Sequence, residues 1–114
     1  MAKAVHIPWY ATGFRGDKLE AAVAEFAAVS LRYGATSYTV YRALDDRYKI
    51  LQVVEFAEKA DWEAYWNGPE AIRFRTVASG WYQIPVVYGW QDLVTRGELT
   101  ASAAAETAPA AAQA

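Results

Sequence analysis

Few side chains in this chain can do chemistry, and most of those are aromatic. There is a single imidazole, His6, and no cysteine. Imidazole can act as a general base near neutral pH, so His6 is a candidate base or orienting group. A hydrogen-bonded strand histidine is the plainer alternative. Trp62, Tyr65 and Trp66 recur at helical spacing, which usually marks a core-facing stripe but can also wall a pocket for a flat ligand. Trp66 is followed at once by Asn67-Gly68-Pro69. A break of that kind can open a pocket mouth, or simply fit a helix to a sheet. Arg73 and Arg75, two apart, face different directions on a helix; each is solvated surface unless it clamps an anionic substrate. Arg42, inside a strand, is placed to reach a carboxylate such as Glu55 on a neighbouring strand, or to point into a cavity. Tyr38, Tyr41, Tyr48 and Tyr88 read as sheet packing, with a minority able to bond a ligand carbonyl.

Composition removes several classes of function. A net charge of -2 leaves no basic footprint for nucleic acid. Without cysteine there is no disulfide, thiol catalysis or thiolate metal site, and one histidine cannot build a His-rich metal centre. Asp45-Asp46 is turn chemistry, and no carboxylate cluster, phosphate-cradling glycine motif or Ser-His-Asp arrangement stands out. No apolar run approaches the roughly 20 residues of a membrane span. The opening Met-Ala-Lys-Ala-Val-His lacks a signal-peptide apolar region, so a cytoplasmic protein with no membrane partner is expected. Five Trp, eight Tyr and four Phe suffice both to fill a core and to line a pocket.

These side chains need a scaffold, and the sequence outlines one. Residues 4–10 predict a strand, with Val5, Ile7 and Trp9 on one face and His6 and Tyr10 on the other. Pro8, which cannot donate a ladder hydrogen bond, argues for an edge position or a bulge. Asp17 and Glu20 fit a variant capping box opening a helix that runs to about Tyr33 along Leu19, Ala22, Val23, Phe26, Val29 and Tyr33, with Gly34 as its stop. Residues 36–44 and 48–56 predict two strands joined by a short polar turn at Asp45-Asp46-Arg47, hence an antiparallel hairpin. Residues 58–66 and a segment begun by Pro69 predict two helical pieces. Residues 86–92 predict the last strand. Residues 101–114, low in complexity and without a large apolar side chain, read as a flexible tail; the domain is expected over 1–94 and the tail over 95–114.

The order is β-α-β-β-α-β, the ferredoxin-like α+β arrangement of a four-stranded antiparallel sheet with helices on one face. The third strand bears apolar residues on both faces: Ile50, Val54 and Phe56 on one, Leu51 and Val53 on the other. The helices roof one side only. A second copy is the economical cover for the other, giving a homodimer through its sheet faces, a dimeric α+β barrel.

Ile50-Leu51-Gln52-Val53-Val54-Glu55-Phe56, the helix opening Glu58-Lys59-Ala60-Asp61-Trp62-Glu63-Ala64-Tyr65-Trp66, the proline-started helix and the closing aromatic strand together resemble the antibiotic biosynthesis monooxygenase-like dimeric α+β barrel family, over roughly residues 3–93. The resemblance implies a homodimer with a pocket in each subunit between sheet and helices. Some members oxidise polycyclic phenols or quinols with O₂ and neither metal nor flavin; others degrade haem. The haem-degrading branch presents a histidine from the second helix, and residues 58–80 contain none, which disfavours that activity. For the cofactorless oxygenases the resemblance makes Trp66 the counterpart of a pocket indole, with Asn67, Arg73 and Tyr82 as nearby polar groups.

The expected activity is therefore a cofactor-independent monooxygenation of an aromatic, phenolic or quinol-like small molecule, without metal or other cofactor. The expected catalytic set is His6, Trp66 and Asn67, and the expected substrate-binding set is Trp62, Tyr65, Arg73 and Tyr82. The competing expectations are a non-catalytic ligand-binding or assembly module, and polyketide-type cyclase or isomerase chemistry without oxygen.

Overall fold

Along the first strand, β1 (Lys3–Tyr10), Val5, Ile7 and Trp9 are buried while His6 and Pro8 are exposed. That parity fixes which side of the sheet becomes the interior. The computed structural model describes residues 2–100; the Ala-rich segment 101–114, most of the expected tail, lies outside the described residues. After β1 come helix α1 (Gly16–Val29) with a single 3₁₀ turn (Ser30–Tyr33), strands β2 (Ser37–Arg42) and β3 (Lys49–Phe56), helices α2 (Lys59–Asn67) and α3 (Pro69–Val77), and strand β4 (Gly89–Asp92). The strands form one antiparallel sheet in the order β2-β3-β1-β4, the ferredoxin-like α+β topology expected from the element order.

The interior lies between one sheet face and the helices. Val5, Ile7 and Trp9 of β1 and Ile50, Val54 and Phe56 of β3 pack with Leu19, Val23 and Phe26 of α1, Trp62 and Tyr65 of α2, and Ala71 and Phe74 of α3. On the opposite face Leu51 and Val53 stay half-exposed, and His6, Pro8, Thr39 and Tyr41 are exposed. This is the bare surface that the third strand's two-faced pattern required.

Several local expectations change. Pro8 marks neither an edge strand nor a bulge: β1 is central. The Tyr10 carbonyl accepts from the Gln83 N–H on the β4 side, and alternate residues share that side. Pro8 therefore aims its missing donor where the β4 ladder has already stopped, at the His6–Gly89 pair. β4 itself starts at Gly89, because residues 86–88 make no ladder. The capping box is not formed. Arg15 occupies the N-cap position of α1 with no side-chain cap bond, and Asp17 instead accepts from Arg42 at 2.8 Å, with Glu20 a second acceptor at 3.3 Å. Arg42 thus reaches α1 and not Glu55. Glu55 is held by Ser37 and by Arg96 from beyond β4. Gly34, at φ 98°, ends the 3₁₀ turn as anticipated. Gly68 separates α2 from α3 in extended conformation. A Cβ there would lie 2.8 Å from the Ala64 carbonyl oxygen and 2.6 Å from the Tyr33 hydroxyl, so the tight join between the helices requires a glycine.

Candidate functional site

Helix α2 presents two ridges at helical spacing. Lys59, Glu63 and Asn67 form a polar one, and Trp62 and Trp66 an aromatic one beside it. Both line a cleft of about 480 Å³ whose remaining wall is Tyr88 and Trp90, in and just before β4. The Trp62 and Trp66 rings stack at 5.2 Å and 28°. Tyr88 stands against both, at 5.3 and 4.9 Å. Aromatic walls of this kind favour flat, polarisable ligands.

Trp66 is fixed from two directions. The Arg75 guanidinium lies over its ring at 4.7 Å and donates to its backbone carbonyl at 2.9 Å. The Asn67-Gly68-Pro69 break leaves that carbonyl at the end of α2, where intrahelical donors run out. Asn67 donates one amide hydrogen to the Glu63 carbonyl at 2.9 Å, which lays its side chain back along the helix. An amide nitrogen carries two hydrogens, so a second donor remains at the cleft rim.

Of the residues singled out in the sequence, Trp62, Trp66, Asn67 and Tyr88 are brought together here. The others are not. Tyr65 is fully buried and faces the sheet. Its hydroxyl accepts from the Gln52 amide at 2.9 Å and donates to the Phe26 carbonyl at 2.6 Å, while Gln52 accepts from the Trp9 indole at 3.0 Å. Burial pushes the Tyr65 hydroxyl well above the usual phenol range. It is a core residue, out of reach of a ligand in the cleft. Tyr82 packs its ring against Trp9 at 4.9 Å and Phe74 at 6.4 Å, and burial raises its hydroxyl as well. Arg73 lines a separate groove of about 420 Å³ between α1 and α3, with Phe26, Phe74 and Arg32 among its walls. His6 lies on the bare sheet face, on the far side of the sheet from the cleft. Within one subunit no imidazole accompanies Trp66 and Asn67.

Sequence reasoning missed Lys59, Glu63 and Trp90 as cleft residues, and placed Tyr88 first in the sheet packing. The spacing 59, 63, 67 was a usable signal for the first two. Tyr88 and Trp90 reach the cleft only through the packing of β4 beside β1. Among the described residues no group of three or more His, Cys, Asp or Glu is placed to hold a metal ion, and no helix is long and apolar enough to cross a membrane.

A four-stranded antiparallel sheet in the order β2-β3-β1-β4 with its helices on one face defines the class of ferredoxin-like α+β proteins. No protein-family model and no curated protein matches the sequence. Solved structures do match the fold. A Nitrosomonas europaea protein, provisionally named an antibiotic biosynthesis monooxygenase, superposes with a TM-score of 0.74 at 13% identity, covering 84% of this chain and 94% of that one. A variant of a cofactor-independent oxygenase from Streptomyces nogalater gives 0.71 at 14% identity, covering 83% and 95%. A Pseudomonas aeruginosa protein gives 0.72 at 17% identity, covering 82% and 95%. At these identities the likeness is one of fold: the chain has the ferredoxin-like α+β fold of the antibiotic biosynthesis monooxygenase-like proteins.

Proposed function

We propose that this protein is a small cofactor-independent oxygenase acting on a flat phenolic or quinol-like molecule held in the α2–β4 cleft. The observation that carries this reading is the convergence of Trp62, Trp66 and Asn67 with Tyr88 on one cleft, in a fold shared with a solved cofactor-independent oxygenase. Such oxidation asks three things of a protein: shelter from bulk water, a grip on a planar ring, and a donor for the negative charge of the deprotonated substrate. Trp62, Trp66, Tyr88 and Trp90 supply the grip and, with a ring seated over Trp62 and Trp66, part of the shelter, and the spare Asn67 amide hydrogen the third. For a phenol whose keto tautomer carries a ring methylene, as an anthrone does, the balanced outcome is that methylene converted to a carbonyl, with one oxygen atom of O₂ retained, the other released as water, and all four electrons drawn from the substrate.

The same reading takes the bare sheet face, with Pro8, Leu51, Val53 and Tyr41, as the interface with a second copy. His6 then sits between two sheets, so its expected role as base is not retained for this cleft. Arg73 and Tyr82 likewise stand apart from the bound ring.

A non-catalytic ligand-binding module is the second reading, and the placement of His6 away from the cleft favours it. Oxygen uptake by the pure protein with a panel of hydroquinones and anthrone-like phenols separates the two. Uptake above the protein-free rate, with product heavier by oxygen, is expected. Ligand-induced rises in melting temperature without uptake would leave the binding module, and a product of unchanged mass would point to cyclase or isomerase chemistry.

A further inference from the structure

Resting on that reading of the cleft, we infer that it selects aromatic ligands bearing an acidic group, that Lys59 reads the acid, and that Glu63 and Asn67 read a hydroxyl at the opposite end. Lys59 is the cation among the residues lining the cleft. It takes part in none of the ion pairs among the described residues, and neither does Glu63 one turn further on. The two charges lie at the same cleft without neutralising each other. Lys59 is also the first residue of α2, where the helix dipole disfavours a cation. Glu58 at the N-cap and Asp61 in the first turn already answer the dipole at that end, so Lys59 does nothing for the helix and is the group of the cleft lining that attracts an anion.

The ridge supplies a ruler. At about 1.5 Å of rise per residue, Glu63 lies roughly 6 Å and Asn67 roughly 12 Å along the axis from Lys59. The Trp62 and Trp66 rings bridge that interval. A ligand of two or three fused rings spans it, with its acid at Lys59 and a hydroxyl at the far end, donating to the Glu63 carboxylate or accepting from the Asn67 amide. Charges of opposite sign at the two positions make the site directional: a ligand turned end for end sets its acid against Glu63.

Quenching of tryptophan fluorescence by 2-naphthol, 2-naphthoate and 6-hydroxy-2-naphthoate tests this. Hydroxynaphthoate should bind tightest. Lys59→Gln, on an exposed side chain, should weaken both acids about three- to five-fold, the scale of one partly solvated charge pair, and leave naphthol within about twofold. Glu63→Gln should tighten plain naphthoate and weaken hydroxynaphthoate. Raised salt should mimic Lys59→Gln. Equal affinity for naphthol and naphthoate, or a Lys59→Gln effect common to all three, overturns the acid preference while the cleft reading stands. Absence of binding by all three overturns the cleft reading and the inference with it.

Discussion

Replacing Tyr65 by Phe removes one oxygen from the centre of the protein. In the chain from Trp9 through Gln52 and Tyr65 to the Phe26 carbonyl, every hydrogen has one possible direction. Indole can only donate and a backbone carbonyl only accept, so the Gln52 amide and the Tyr65 hydroxyl are oriented by their neighbours. Phe at 65 leaves the Gln52 amide N–H without its acceptor and the Phe26 carbonyl without this donor, in a region where Gln52 is fully buried. An orphaned buried polar group costs about 1–3 kcal/mol. Two of them, partly relieved by relaxation, come to about 3 kcal/mol. For a domain of this size that corresponds to a melting temperature lower by roughly 12 °C or more. Urea denaturation should show the loss in the midpoint with an unchanged slope. In a Gln52→Leu background the amide is gone before Tyr65 is changed, so the same substitution should cost at least about 1 kcal/mol less. A Tyr65→Phe protein within about 0.5 kcal/mol of wild type, or strictly additive effects, would refute the reasoning. The pH dependence carries the same signature. The folded hydroxyl titrates above its unfolded value near 10. Its contribution is therefore complete below that value and is lost as pH rises beyond it; Tyr65→Phe should remove that alkaline slope.

Other outcomes follow from other parts of the molecule. On the proposal that the bare sheet face joins two copies, wild type should scatter as a dimer, and Leu51→Arg should leave the circular dichroism intact and halve that mass; a monomeric wild type or an unchanged mass would show that the face is not the interface. The Glu55 carboxyl is held below its usual range first by the Ser37 hydroxyl and then by Arg96. That stability is present above the unfolded value near 4 and is lost as pH falls through the lower folded one. Urea midpoints measured from pH 7 to 3 should therefore fall less steeply for Glu55→Gln than for wild type. Gly68→Ala should destabilise by about 1–3 kcal/mol in chemical denaturation, since the added methyl meets backbone it cannot displace. Asn67→Ala, on an exposed side chain, should lower the rate of oxygen uptake by about 10²-fold with little change in melting temperature.

The topology was legible because periodicity survives without tertiary knowledge. Ile50, Val54 and Phe56 against Leu51 and Val53 announced a strand with apolar residues on both faces, and Pro69 and Gly34 punctuated the helices where the chain does. Parity carries the placement of His6 as well: with Val5, Ile7 and Trp9 in the core, His6 faces away from the helices and from Trp66 of its own subunit. The Gln52 relay could not be read, since it needs positions 9, 52, 65 and 26 in one place. Arg42 chose Asp17 and Glu20 over Glu55 for a similar reason. Side-chain alternation turns Arg42 toward the helices and Glu55 toward the bare face, but α1 had first to be laid across that side. Tyr88 lies just before the ladder begins at Gly89, so its ring stands against Trp62 and Trp66, a placement that strand alternation alone does not show.

β1 is one of the two central strands of the sheet, and it precedes both of its neighbours along the chain. Its neighbours start only at Lys49 and Gly89, so the loops that must close before it is flanked span almost the whole described chain. Contacts so distant along the sequence slow folding. Until residues 89–92 are in place, Val5, Ile7 and Trp9 wait on a strand with one unpaired edge. A chain cut just before Gly89 would keep that edge for good, and it should accumulate as insoluble strand-paired material when the intact chain does not.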